Sequence, residues 1–109
     1  MDYGKAPANP APAGPDRRYT GTYDNSYYGP LVVFQNDRRL AMRMGPEGKR
    51  TTFPLTHFDG DTFSFGSIGE NGNGLAGAIF AGTGRGSSSQ VTLDFYDRTG
   101  LGTFTRRGR

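Results

Sequence analysis

The sequence lacks cysteine and tryptophan, has a single histidine and contains no long apolar run. Without cysteine the chain can form neither disulfides nor thiolate metal sites, and a lone histidine cannot build a zinc site of the usual kind without converging carboxylates. No apolar stretch approaches the roughly 20 residues that span a bilayer, and no charged-then-apolar leader precedes the domain. We therefore expect no cofactor, no metal and no membrane span.

Charge of one sign is also scarce, because 13 Lys and Arg against 10 Asp and Glu leave a net charge of only +3. The excess comes from Arg106, Arg107 and Arg109 at the C-terminus. Residues 108–109 are predicted to form a basic tail after the folded domain. A small solvated excess of this kind lacks the broad basic face of nucleic-acid-binding modules, so no nucleic-acid partner is expected. The 109 residues are enough for one compact core.

Proline concentrates near the N-terminus, where residues 5–15 contain four prolines and no hydrophobic face. Proline removes backbone donors and favours an extended chain, and a segment without apolar residues cannot offset the entropy of ordering. The sequence therefore predicts a disordered Pro/Ala-rich interdomain linker over residues 1–17, ahead of a folded domain over residues 18–107.

From Tyr19 onward, short runs alternate apolar and polar residues and are separated by turn residues. No window of 11 or more residues has a helical period, and 18 glycines would weaken any helix. The pattern predicts about eight strands: Tyr19–Asp24, Leu31–Gln35, Leu40–Met44, Thr51–His57, Thr62–Ser67, Leu75–Ala81, Gln90–Tyr96 and Leu101–Arg106.

The predicted strands carry one apolar face each; Leu40, Met42 and Met44, for example, share a side. Residues 36–39, Asn-Asp-Arg-Arg, predict a tight hairpin, since Asn and Asp tolerate the left-handed conformation of such turns. Many short antiparallel strands favour an eight-stranded up-and-down, lipocalin-like barrel, because closure removes exposed edges. A two-sheet sandwich is the alternative that the same pattern permits.

Several landmarks occur in a characteristic order along the chain. They are Tyr-x-Gly-x-Tyr-x-Asn at residues 19–25, Tyr-Gly-Pro-Leu at residues 28–31, Leu-Thr-His-Phe followed by Asp-Thr-Phe within residues 55–63, and Phe-Thr-Arg at residues 104–106. In this order they resemble the lipocalin-like C-terminal domain of CubicO-group serine hydrolases, which are relatives of class C β-lactamases, penicillin-binding proteins and D-aminopeptidases. Phe58 departs from that pattern, which usually has Trp at this position.

The resemblance implies a non-catalytic accessory domain of a bacterial β-lactamase-related serine hydrolase. Such a domain docks on the catalytic domain of the same parent chain, modulates access to the active site and contributes to homo-oligomer contacts. A parent of this kind often works outside the cytoplasm, in the periplasm or secreted. Two other classes stay open: an autonomous carrier that binds a small apolar ligand inside its barrel, and an oligonucleotide-binding barrel.

The chemistry of such a parent needs a serine followed three residues later by lysine, which places the amine beside the hydroxyl. None of the six serines has lysine at that position. Tyr23-Asp24-Asn25 matches the Tyr-x-Asn motif of these enzymes but lies within the first predicted strand. The Gly-x-Gly-x-x-Gly pattern at residues 72–77 is followed by a predicted strand, whereas a dinucleotide-binding site requires a helix after these glycines. We therefore expect no hydrolase activity from the isolated domain.

Four tyrosines near the start are candidates for a lumen or a docking surface, since tyrosine has an apolar body and a polar tip. Their alternatives are packing within the barrel wall, or an exposed surface together with the arginines at positions 38, 39 and 43 that docks the catalytic domain. The four are Tyr19, Tyr23, Tyr27 and Tyr28.

His57 and Arg85 complete the candidate site residues. His57 is interpreted as a structural residue, hydrogen-bonded near the barrel mouth, with ligand binding or acid-base use as the alternative. Arg85 lies in the glycine-rich segment Gly82–Gly86, which is either a flexible loop or an anion-binding nest around the arginine.

Overall fold

The computed structural model describes residues 7–45, 48–66, 75–82, 86–94 and 102–107. Within these residues nine antiparallel strands form one sheet in the order β4-β3-β2-β1-β9-β8-β7-β6-β5. The strands are β1 (Gly21–Asn25), β2 (Gly29–Asn36), β3 (Arg39–Met44), β4 (Thr51–Pro54), β5 (Thr56–Asp59), β6 (Thr62–Gly66), β7 (Leu75–Ala81), β8 (Gln90–Leu93) and β9 (Thr103–Arg106). The prediction of an all-β, antiparallel up-and-down architecture is confirmed, and across the described residues a single sheet replaces the alternative of two.

The number of strands differs from the predicted eight because the run from Thr51 to His57 is two strands that meet at Leu55. β4 pairs with β3, whereas β5 pairs with β6, so the chain changes its partner at this point. Pro54 is the last residue of β4, and its missing donor does not interrupt the pairing with β3, because the N–H of Leu55 still donates to the carbonyl oxygen of Leu40 over 2.9 Å. β4 and β5 are the two edge strands of the sheet, and they are also consecutive in the chain. The sheet is therefore curled into a nearly closed barrel.

The predicted hairpin between β2 and β3 is present, because Asn36 faces Arg39 in the ladder and two residues form the turn. Asp37 has a φ of 61°, the left-handed conformation that aspartate tolerates better than most residues. Tyr19 precedes β1 rather than starting it, and follows a turn of 3-10 helix over Asp16–Arg18. The predicted ends of the last two strands at Phe95, Tyr96 and Leu101 lie outside the described residues.

On β3, Ala41 is buried although it lies on the opposite face, and the predicted apolar set of Leu40, Met42 and Met44 is buried throughout. Their side chains belong to one cluster of buried apolar residues that occupies the barrel interior and that receives side chains from every strand except β5. Phe53 and Phe65 contact each other edge to face, with ring centroids 5.6 Å apart, and so join β4 to β6 inside the barrel. This aromatic packing therefore holds the edge strand β4 against β6, which lies next to the other edge strand.

The described part of the predicted linker lies against the barrel. The N–H of Ala11 donates to Oδ1 of Asp59 over 2.7 Å, and the carbonyl of Ala11 accepts from the N–H of Gly60 over 2.8 Å. Gly14 donates its N–H to the Tyr19 hydroxyl over 2.8 Å. The predicted disorder is therefore not shown over residues 7–17, where Ala11 bonds to Asp59 and Gly60 and Gly14 bonds to Tyr19. The interdomain role of this segment stays a prediction.

The antiparallel order gives the barrel two ends. One end, here called the groove end, carries the N-terminal segment, the turn at Asp37–Arg38, the turn at Gly60–Asp61 and the end of β9 at Arg106. The opposite end carries the turn between β1 and β2. The described residues include no helix of the length and apolar character needed to cross a membrane.

Candidate functional site

Two features lie at the groove end. The first is a polar cluster built from residues distant in sequence: Arg18, Tyr19, Tyr23, Asp61, Ser88 and Arg106. The second is an open cavity of about 310 Å³, here called the groove, lined by Ala13, Asp16, Arg38, Arg39, Leu40, Leu55, Thr56, His57 and Phe63.

One half of the polar cluster centres on Asp61 in the turn before β6. Arg18 donates to both carboxylate oxygens of Asp61, from Nε over 3.0 Å and from Nη2 over 2.8 Å. The Tyr19 hydroxyl donates to Oδ1 of the same carboxylate over 2.8 Å. These hydrogen bonds, the one from Arg18 above all, lower the pKa of Asp61, and the same contact raises the pKa of Arg18.

The other half of the cluster centres on the Arg106 guanidinium. It donates to three main-chain carbonyl oxygens, those of Arg18, Thr20 and Ser88, and to the Tyr23 hydroxyl. It also lies over the Tyr23 ring, 4.8 Å from the ring centroid. The Tyr23 hydroxyl further contacts Ser88 Oγ over 2.6 Å and the carbonyl oxygen of Tyr19 over 2.8 Å. One side chain of β9 thereby ties the chain before β1 to the chain before β8.

The polar cluster has the groups of a catalytic site but not the access. Tyr19, Tyr23 and Ser88 each have 0% of their surface exposed, so no substrate reaches their hydroxyls. Burial raises the pKa of both tyrosines, outweighing the opposing hydrogen bond from Gly14 at Tyr19 and those from Ser88 and Arg106 at Tyr23. Both phenols therefore stay protonated near neutral pH, and the cluster serves to fasten the barrel end.

The groove lies where the chain changes its pairing partner. Because β4 leaves β3 and β5 joins β6, a gap opens between the start of β3 and β5. Arg39 bridges this gap, donating from Nη2 to the hydroxyl of Thr56 over 3.0 Å. Apolar lining comes from Leu40, Leu55 and Phe63, and the N-terminal segment supplies one wall.

His57 lines the groove with its ring held on two sides. Its Nε2 lies 3.0 Å from the carbonyl oxygen of Gly60, and its ring meets the Phe63 ring edge to face at 5.4 Å. A carbonyl oxygen only accepts, so this contact assigns the proton of the neutral ring to Nε2 and leaves Nδ1 as an acceptor.

The charges on the groove are unbalanced toward positive. Arg38 and Arg39 are both exposed, and among the described residues that line the groove Asp16 supplies the one carboxylate. In the described part of the chain the ion pairs join Arg18 to Asp61 and Arg107 to Asp24, so neither groove arginine has an anionic partner there. The groove can therefore attract an anion.

The structure separates the four tyrosines that the sequence presents as one group. Tyr19 and Tyr23 lie in the interior at the groove end, whereas Tyr27 is 69% exposed in the turn at the opposite end. Tyr28 is partly buried and stacks on Phe104, with ring centroids 6.2 Å apart. Of the other two predicted site residues, His57 lines the groove, and Arg85 lies outside the described residues.

Sequence reasoning missed Arg18, Asp61, Ser88 and Arg106. These residues are separated by 43 positions between Arg18 and Asp61 and by 18 between Ser88 and Arg106. No spacing pattern marks pairs of this kind, since they meet only after the barrel has formed. Within the described residues, no group of three His, Asp or Glu side chains is arranged to hold a metal ion.

Asp61→Asn tests the first half of the polar cluster through its dependence on pH. Since the folded-state pKa of Asp61 is lowered, its contribution to stability is present above the unfolded value near 3.9 and is lost as the pH falls through the folded-state pKa. We expect the variant to lose about 1–2 kcal/mol of unfolding free energy at pH 7, an amount reduced by the partial exposure of the carboxylate, and to match the wild type in acid. Urea unfolding across pH measures this difference.

Asp24→Asn is the matched control, because Asp24 pairs with Arg107 on the exposed surface. Its effect should be smaller than that of Asp61→Asn at every pH. A loss for Asp61→Asn that stays constant into acid would show that the carboxylate charge is not what stabilises the cluster.

Comparisons with known proteins show which domains this chain is similar to. Residues 5–102 match the sequence profile of a family described as a domain of unknown function, DUF3471. The crystal structure of the C-terminal domain of the penicillin binding protein Rv0907 is 43% identical in sequence, covers 94% of both chains and superimposes with a TM-score of 0.80. No match was found among curated proteins.

Proposed function

Because the chain belongs to the DUF3471 family and is homologous to the C-terminal domain of a penicillin binding protein, we propose that it is a non-catalytic accessory domain of a β-lactamase-like serine hydrolase. The observation that carries the proposal is the 43% identity to that domain over 94% of both chains. We propose further that the parent is of the CubicO group, and that its catalytic domain, on the same chain, is the partner.

The proposed docking surface is the groove end. The N-terminal segment runs along the turn at Asp59–Gly60 and contributes Ala13 and Asp16 to the groove wall. A catalytic domain that precedes this segment in the parent would be tethered beside the groove, at high effective concentration. Contact there would let the barrel restrict access to a neighbouring active site or support oligomer contacts of the parent.

The absence of cysteine makes the docking surface testable with single-cysteine variants. Arg38→Cys, at the groove end, and Tyr27→Cys, at the opposite end, would each carry a photoreactive cross-linker and be mixed with the separately produced catalytic domain. We expect a cross-linked product from position 38 and little from position 27, since both positions are exposed and differ mainly in which end they occupy. Cross-linking only from position 27, or from neither, would rule out docking at the groove end.

The proposed lack of catalysis has its own measurement. The pure chain should not hydrolyse a chromogenic β-lactam or a D-amino-acid amide, whereas its addition to the catalytic domain should change the KM of that domain. Turnover by the isolated chain would contradict the accessory role.

A second candidate function is that of an autonomous small-molecule-binding barrel, and the groove is the observation that favours it. The cluster of buried apolar residues occupies the barrel interior, so a ligand would bind at the end of the barrel rather than in a lumen. A ligand-binding site and a docking domain are compatible on one chain.

A further inference from the structure

We propose that the groove is a binding site for a small carboxylate that carries an apolar body. The carboxylate would lie between the guanidinium groups of Arg38 and Arg39, and the apolar body would lie on Leu55 and Phe63. The volume of about 310 Å³ falls at the lower end of the range of small-molecule sites, roughly 300–1,000 Å³.

Charge selects the anion. Arg38 and Arg39 have no anionic partner in the described part of the chain, although Asp16 shares the groove with them. The planar fork of N–H donors on arginine matches the two oxygens of a carboxylate, and such charge-assisted contacts are stronger than neutral ones. Among the described lining residues, two arginines outweigh one aspartate, so this part of the groove has a net positive charge.

Existing contacts prepare the site for a ligand. The hydrogen bond to Thr56 holds the Arg39 side chain across the gap, and within the described residues Nη2 is the atom of this guanidinium that is engaged. The other N–H groups of Arg39 are left to meet a ligand. A side chain already held in place loses less entropy on binding than a free one.

The apolar lining selects the rest of the ligand. Leu40, Leu55 and Phe63 belong to the barrel core, so their positions are fixed by packing rather than by a ligand. His57, held by Gly60 and Phe63, offers Nδ1 as an acceptor, so the arginines rather than the histidine carry the anion. A preformed concave wall of largely buried apolar side chains, beside two arginines without an anionic partner among the described residues, suits an amphiphilic anion better than a bare inorganic one.

Two probes that differ by one charge test the proposal on the full chain in solution. N-acetylphenylalanine has the carboxylate and an apolar body, and N-acetylphenylalaninamide has the same body without the charge. In 1H–15N spectra we expect saturable shifts at Leu40, Leu55, Thr56 and Phe63 with the acid, and binding of the amide weaker by about tenfold or more.

Variants assign the anion contact. The double variant Arg38→Gln and Arg39→Gln should bind the acid about tenfold more weakly or worse. Arg43→Gln is the matched control, because the Arg43 guanidinium lies over the Phe34 ring, 4.6 Å from its centroid, and Arg43 does not line the groove. The single variant Arg38→Gln keeps the bond between Arg39 and Thr56 and should show an intermediate loss, and dispersed spectra verify that each variant folds.

Each of four results would overturn the proposal: equal affinity for acid and amide, unchanged affinity in the double variant, shifts away from the groove, or no saturation at millimolar acid. Displacement of the acid by an equal concentration of inorganic phosphate would also overturn it, because the apolar body would then contribute nothing. These spectra need no catalytic domain, so the groove site and the docking proposal succeed or fail separately.

Discussion

Arg106→Met is expected to lower the free energy of unfolding by about 3 kcal/mol, the largest effect among the polar residues of the groove end. The half-buried guanidinium donates to the carbonyl oxygens of Arg18, Thr20 and Ser88 and to the Tyr23 hydroxyl. Methionine keeps the apolar stem but offers no donor, so buried acceptors would lose their partners. Against a typical total of about 5–15 kcal/mol, such a loss is large.

Arg107→Met is the control for this prediction, since it removes the same side chain one position later in the sequence. Arg107 pairs with Asp24 at the surface, where their side chains are 58% and 43% exposed. Surface ion pairs of this kind contribute little, so we expect almost no change. The measurement is urea unfolding followed by tyrosine fluorescence, which the absence of tryptophan leaves unobscured. Equal losses in the two variants would show that the Arg106 contacts do not stabilise the fold.

Gly21→Ala is expected to cost about 2–4 kcal/mol, because two penalties combine at this position. Gly21 has a φ of 141°, which is unfavourable for any residue with a side chain. A Cβ atom there would also clash with Nη1 of Arg106, so the guanidinium would have to leave its acceptors. The glycine of the Tyr-x-Gly-x-Tyr pattern therefore leaves room for the Arg106 guanidinium, because it has no side chain.

Gly29→Ala separates these two penalties. Gly29 also has a positive φ, 86°, but an added Cβ there meets nothing within 4 Å. It should cost only about 1 kcal/mol, from backbone strain alone. In a double-mutant cycle, Gly21→Ala and Arg106→Met should be less than additive, since each disturbs the same guanidinium. Strict additivity would mean that Gly21 does not act through Arg106.

The groove and the polar cluster lie at the same end of the barrel and have different roles. The hydroxyl groups of the polar cluster are buried and the cluster holds the chain segments together, whereas the groove is open and its two arginines have no anionic partner among the described residues. Docking is therefore proposed for the groove end, ligand binding for the groove, and effects on stability for the polar cluster. Variants in the two sets of residues should separate function from folding.

Local pattern was enough to predict most of the strands. Period-two alternation identifies the buried face of β3, because successive side chains of a strand point to opposite sides. The turn at Asp37–Arg38 follows from the residues that form it. The break at Leu55 could not be predicted in this way, because the alternation of Phe53 and Leu55 runs up to the point where the chain changes partners without marking the change.

The sequence by itself therefore determined the all-β class and the positions of most strands, since each depends on residues near one another in the chain. Only the tertiary structure decided that Tyr19 and Tyr23 lie inside, that Arg106 supports the chain around Gly21, and that the groove opens beside Arg38 and Arg39. Closing the barrel brings residues as far apart as Arg18 and Arg106, 88 positions along the chain, into hydrogen-bonding distance. Contacts of this range leave no periodic trace in a sequence, which is why they were invisible before the fold was known.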